Sequence, residues 1–276
     1  MASTPGDAAA FEAAIIHACA EHERSHWREN GYRRCLVIDG FFVKFDSYQS
    51  LYPEFETQKY VFQCAKSNMS APRVPEVIQF FHRDDQMAYM VMENIKFTPT
   101  PVPDLSQRVA LAIQWLRDLP TPPPDRVRIG PLGSGRARHH LFKNYKAPLS
   151  FSSIQAIERY LNKAITRLPS RSAPVALVSL CNERLVFTQS DMDESNFGVD
   201  VEGRTCLFDF GAVGLLPESF ASYTMSSSVQ FTAAVAQHLG WPSSSNLHTM
   251  SKISRLLWIL SNPTLGLDDN GNPRIA

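Results

Sequence analysis

The stretch VFTQSDMDESNFGVDVEGRTCLFDFG, residues 186–211, decides how this chain is read. Val186 to Thr188 has the composition of a short strand, and a polar loop follows it. Phe197 to Asp200 is a second strand, Glu202-Gly203 a turn, and Thr205 to Phe208 the return strand. In an antiparallel hairpin the start of the first strand lies beside the end of the second. Asn196 stands just before the one and Asp209 just after the other, so the turn brings them to the same end. An amide oxygen and a carboxylate are hard ligands, of the kind Mg2+ takes from a protein while it carries nucleotide phosphates. Asp191, in the loop five residues before Asn196, is placed to orient a substrate hydroxyl or accept its proton.

This order, an aspartate, an asparagine five residues on and then D-F-G, matches the kinase pattern. Three residues alone match by chance; the joint spacing with strands in the right places is far more specific. A phosphate-binding cation is then required, and Lys44 in F-F-V-K-F is the candidate, with an exposed edge lysine as the plain alternative. Such a lysine needs a carboxylate on the following helix. Glu56, opening E-T-Q-K-Y-V-F-Q, fits best, with Glu54 as second choice; an ordinary first-turn glutamate accounts for Glu56 equally well. Met92-Glu93-Asn94 ends an apolar strand and is the expected interlobe connection that meets an adenine, although a plain core strand explains the methionines too.

Outward from these motifs, residues 8 to 29 show helical periodicity through Phe11, Ile15 and Ile16. His22 and His26 are four apart there, but no further ligand is spaced to join them, and a solvated helix face is expected. Cys35 to Phe45 is two β-rich runs joined by Asp39-Gly40, a strong hairpin signal. A helix over 54 to 67 and strands at Val77 to Phe81 and Met87 to Met92 follow. Prolines crowd 98–103 and 120–124, and proline fixes φ and removes a donor, so both stretches read as loops. Helical patterns cover Leu105 to Leu116, Ile154 to Leu168, 219 to 238 and 248 to 260. Gly130, Gly133 and Gly135 follow no clear strand and open no helix, so they fit neither a dinucleotide fingerprint nor a phosphate loop. His139 and His140 are expected at the surface. The order is a β-rich N-terminal lobe (1–94) and a mainly helical C-terminal lobe (95–276), an α+β, bilobal organisation.

With 276 residues, 44% of them hydrophobic, the chain can bury a large core. Its 27 basic and 27 acidic residues balance, and no basic stripe is evident, which argues against nucleic acid as a partner. Cys19, Cys35, Cys64, Cys181 and Cys206 are odd in number and scattered, the pattern of reduced and mostly buried thiols. MASTPGDAAAFEAA lacks the basic and apolar regions of a leader, and no apolar run is long enough to span a bilayer; a cytoplasmic protein without a membrane partner is expected.

The order Lys44, Glu56, M-E-N, D-x-x-x-x-N, D-F-G resembles the aminoglycoside phosphotransferase and choline-kinase-like family, particularly its uncharacterised fungal members. The resemblance runs from about residue 32 to 225. It implies a protein-kinase-like fold, ATP and Mg2+ as cofactors, and phosphoryl transfer to a small-molecule hydroxyl. By matching positions it implies Asp191 as catalytic base, Asn196 and Asp209 as metal ligands, and Lys44 as the phosphate-binding lysine. The family loop usually reads H-G-D-x-H-x-x-N, whereas here Gln189 and Asp193 replace both histidines. Gln189 retains the capacity to hydrogen-bond as a buttress. Asp193 with Glu194 makes the loop acidic, which fits a cationic acceptor or a weakened turnover, so a catalytically inactive nucleotide-binding or scaffold protein stands as the alternative. No long activation segment and no A-P-E follow Gly211, which argues against a protein substrate.

Overall fold

The computed structural model describes residues 5–83, 87–99, 101–123, 128–169 and 174–274. It opens with helix α1 (Pro5–His26), hairpin strands β1 (Cys35–Ile38) and β2 (Phe41–Ser47), and helix α2 (Tyr48–Lys66). Strands β3 (Val77–His82) and β4 (Met87–Glu93) complete an antiparallel sheet of order β1-β2-β4-β3. Asp39 and Gly40 turn the first hairpin with φ of 48° and 82°, the left-handed pair that a two-residue loop demands.

Alternation across this sheet places its chemistry. Val43, Phe45, Tyr89 and Val91 point to one face, where they bury Ile15 and Cys19 of α1. Met90, Met92 and Ala88 point to the other face, against Leu51 of α2. Lys44 alternates with Val43 and so also faces α2. Because β4 is covered on both sides, its sequence is nearly continuously apolar instead of alternating.

Helix α2 begins six residues before its expected start at 54 and carries Pro53 inside it. Proline there costs one helix hydrogen bond. Tyr48 and Tyr52, one turn apart, stack at 4.9 Å, and Phe55 stacks on Phe80 of β3 at 4.4 Å. Tertiary packing thus extends the helix through a local breaker.

The C-terminal region holds α3 (Leu105–Arg117), α4 (Ile154–Ile165), α5 (Glu218–Met225), α6 (Gln230–Leu239) and α7 (Leu247–Ile259). The helix expected over 219–238 is broken at Ser226-Ser227-Ser228, where the polar side chains favour local bonds: Ser226 Oγ donates to the Tyr223 carbonyl. Two antiparallel pairs complete the region: β5 (Leu185–Gln189) with β8 (Val213–Pro217), and the hairpin β6 (Phe197–Val199) with β7 (Thr205–Leu207). The architecture is α+β, a sheet-rich N-terminal part and a helix-rich C-terminal part.

Strand β8 is not foreseen in the sequence reading. All five of its residues are buried, so no polar alternation marks it. A Cβ on Gly214 would lie 2.6 Å from the Gly130 carbonyl carbon, so only glycine lets the 130 loop pair here. The loop glycines therefore serve close packing.

Candidate active site

Lys44, Glu54 and Asp209 meet at the junction of the two parts. The Lys44 ammonium donates to Glu54 Oε1 at 2.7 Å and to Asp209 Oδ1 at 3.0 Å. Glu56 is not the partner. Two positions apart on a helix turn the side chain about 200°, so the glutamate that faces the sheet is Glu54. Glu56 instead packs beside Gly133, whose Cβ would lie 2.8 Å from its Cγ. Burial, the largest influence on Lys44, disfavours its charge, but the two carboxylates outweigh it and hold the amine protonated well above its ordinary range. Burial also raises the Glu54 carboxyl despite Lys44. For Asp209 burial is outweighed by Lys44, and its carboxyl lies below the usual range.

The β6–β7 hairpin pairs Phe197 with Leu207, and Phe208 N–H donates to the Asn196 carbonyl at 3.2 Å. Asn196 and Asp209 accordingly lie at the same end, and both line one cleft of about 720 Å³ with Lys44, Asp191 and Arg33. The Asn196 side-chain NH2 donates to the Asp191 carbonyl at 3.1 Å, which aims its oxygen elsewhere. Asp209 adopts φ 58°, a left-handed conformation that aspartate tolerates at a cost of about 1–2 kcal/mol. Among the described residues no cluster of three or more His, Cys, Asp or Glu could hold a metal. Two oxygen donors, one of them charged, fit Mg2+ that takes its remaining ligands from phosphates and water, and do not fit a self-sufficient protein cage. The His22 and His26 rings lie 4.6 Å apart, tilted by 31°, and gather no third ligand among the described residues.

The loop carrying Asp191 is braced from several sides. Gln189 Nε2 donates to the Asp209 carbonyl at 3.3 Å, and its Oε1 accepts from Asp191 N–H at 3.2 Å. One amide side chain thus ties the loop to the D-F-G turn. Asp193 accepts from Ser195 N–H at 2.9 Å and from the Ser195 hydroxyl; the hydroxyl bond is the main cause of its lowered carboxyl pKa. Its charge caps a turn.

Of the two histidines expected at the surface, His139 is not there. His139 is fully buried, with Nδ1 accepting from Leu141 N–H at 3.0 Å and Nε2 facing the Phe220 carbonyl at 3.1 Å. That pairing needs a neutral ring, and burial holds its pKa well below the ordinary value. His140 is half-buried, stacks on Tyr223 at 4.8 Å, and has its pKa lowered by burial.

At the connection between the two parts, Met92, Glu93 and Asn94 line the cleft together with Ile95 and Phe97. The Glu93 carboxylate is already committed, accepting from Arg73 at 3.0 Å and from Glu76 N–H at 3.1 Å. Arg73 also donates to the fully buried Asp200 at 2.8 Å, so one guanidinium staples the connection to the hairpin.

Arg33 is the cleft residue that motif reading missed. It lies in the segment entering β1, lines the cleft, and its charge helps lower both Asp209 and Asp193. Its neighbour Arg34 is tied to Glu23 at 2.6 Å and Asp46 at 3.0 Å, whereas Arg33 makes no ion pair among the described residues. The signal available was the Arg33-Arg34 pair directly before the β1 strand.

The five cysteines are all free; Cys19 and Cys206 are buried, while Cys181 is exposed. No helix among the described residues is long and apolar enough to cross a membrane.

No protein-family model matches the chain, and no curated protein matches it. Among solved structures it is similar to a thermostable mutant of aminoglycoside phosphotransferase APH(4)-Ia in its apo form, at 12% identity and TM-score 0.49 over 80% of each chain. It is similar also to the GDP complex of wild-type aminoglycoside 2′-phosphotransferase-IIIa, at 12% identity and TM-score 0.48, covering 88% of this chain and 87% of that one.

Proposed function

We propose that this chain is an ATP- and Mg2+-dependent phosphotransferase with a protein-kinase-like fold, divided near residue 94, that moves the γ-phosphoryl group to a hydroxyl of a small molecule. One observation carries the reading. A sheet lysine reaches two carboxylates 10 and 165 residues away in sequence, in a cleft that also holds Asp191 and Asn196. A structural salt bridge would not need that company.

In this reading Lys44 and Arg33 counter the phosphate charge, and Asn196 and Asp209 hold the metal. Bound Mg2+ supplies Lewis-acid screening of the phosphate oxygens. Asp191 receives the acceptor hydroxyl and takes its proton. Phe42, Met92, Ile95, Phe97 and Phe208 offer apolar walls of the kind a nucleobase needs. Asp193 and Glu194 are exposed, and the bonds from Ser195 favour the ionised form of Asp193, so the loop beside Asp191 carries negative charge that suits a cationic acceptor.

A second reading, a nucleotide-binding protein without turnover, draws on one feature: the four-stranded sheet carries no glycine-rich cover, and β1 follows directly on Arg33-Arg34. ATP consumption with a panel of small alcohols and amino sugars separates the two. Phosphotransfer predicts Mg2+-dependent turnover that falls about a hundredfold or more in Asp191→Asn, the range of a lost general base. Equal rates in wild type and variant, with nucleotide binding intact in both, support the second reading.

A further inference from the structure

A second cavity, of about 460 Å³, lies on the other side of Glu54 from the cleft, between the start of α2 and the loop of residues 131–150. Arg136, Arg138 and Lys146 all line it, and none makes an ion pair among the described residues. Arg138 donates to Ser50 Oγ at 2.8 Å. Glu54 is the one carboxylate in the lining, and it is bonded to Lys44 at 2.7 Å. Asp269 comes near the rim, but it accepts from the Ser150 amide at 2.9 Å and joins no ion pair.

The backbone makes this charge arrangement costly. Arg138 and Lys146 are antiparallel bridge partners, so two cations stand directly opposite each other. Like charges in that position are destabilising, and among the described residues the carboxylate that acts on Arg138 is Glu54, which is already hydrogen-bonded to Lys44. In a chain whose formal net charge is +0, three unpaired cations around one concavity are a local excess, not an overall bias.

We propose that this cavity binds a phosphate-bearing small anion. Two guanidinium forks and an ammonium suit a multiply charged, oxygen-rich group, since Arg binds such oxygens bidentately. The hydroxyls of Ser50, Ser134 and Ser150 line the same space and supply neutral donors. The volume exceeds what one ion needs, so the ligand carries a small organic part. The site does not depend on the nucleotide reading, because none of its three cations lines the cleft.

Calorimetric titration of the full chain with pyrophosphate, at constant ionic strength and without metal or nucleotide, tests this. The expected result is a saturable site that survives Arg33→Ala and weakens about tenfold or more in Arg136→Ala/Lys146→Ala, the loss of two charge-assisted contacts. No saturable binding, or binding that is lost with Arg33→Ala and untouched by the double variant, overturns the proposal. Lys146→Glu provides a second readout by placing an internal counter-charge opposite Arg138. Its melting temperature in anion-free buffer should exceed that of wild type, and pyrophosphate should no longer raise it. A Lys146→Glu protein that melts no higher and still gains stability from pyrophosphate contradicts the assignment.

Discussion

Lys44 shows why a buried charge and its partners must be considered together. Its side chain is 26% exposed and that of Glu54 only 6%. Lys44→Met leaves Glu54 buried without its main counter-charge, and should cost about 3–5 kcal/mol in chemical denaturation. Lys44→Met/Glu54→Leu should recover most of that loss, because an apolar pair needs no solvation, yet should not recover nucleotide affinity. Recovery of both would make the ion pair merely structural. Glu56→Gln is the control, expected within about 0.5 kcal/mol of wild type because Glu56 makes no ion pair among the described residues. The sequence singled out the lysine but not which glutamate it meets. That choice depends on helix phase, and α2 begins six residues earlier than its local signals indicate because aromatic stacking on β3 overrides Pro53.

At the scale of elements, the loop carrying Asp191 and the β6–β7 hairpin are held by a few polar side chains. Gln189→Ala removes the bridge between Asp191 and the D-F-G turn while leaving every charged group in place. We expect turnover to fall about tenfold or more with nucleotide affinity little changed, as for loss of a positioning contact. Equal losses in both would mean that Gln189 supports the fold alone. Asp200 plays the corresponding part for the hairpin. Burial raises its carboxyl, but bonds from Arg73 and Arg204 outweigh that and place it below the ordinary range. A depressed folded value means that its stabilisation is complete above the unfolded value of about 3.9 and is lost as pH falls through the folded one. Asp200→Asn should therefore cost about 3–5 kcal/mol at neutral pH and lack part of the acid-induced loss seen in wild type, measured by urea midpoints at pH 7 and pH 3. The hairpin itself was legible, since Glu202-Gly203 and the flanking β-branched residues announce it. Strand β8 and the burial of His139 were not. Both depend on neighbours distant in sequence: β8 on β5 and Gly130, His139 on Phe220 and Thr224.

For the whole molecule, the central claim is that two parts of the chain close on a metal–nucleotide complex, with Asn196 and Asp209 as the metal ligands. The α+β order was readable from the succession of strands, prolines and helices, because the strands of the four-stranded sheet and most of the helices fall in separate stretches of the sequence. The cleft's charge was only partly readable, because Arg33 carries no motif. Calorimetric titration with a non-hydrolysable ATP analogue, with and without Mg2+, bears on this most directly. Wild type should bind with an affinity that rises about tenfold or more on adding Mg2+, and Asp209→Asn should abolish that gain while shifting the melting temperature by only a few degrees. Binding that is absent in wild type, or equally strong without metal and in Asp209→Asn, would contradict the account.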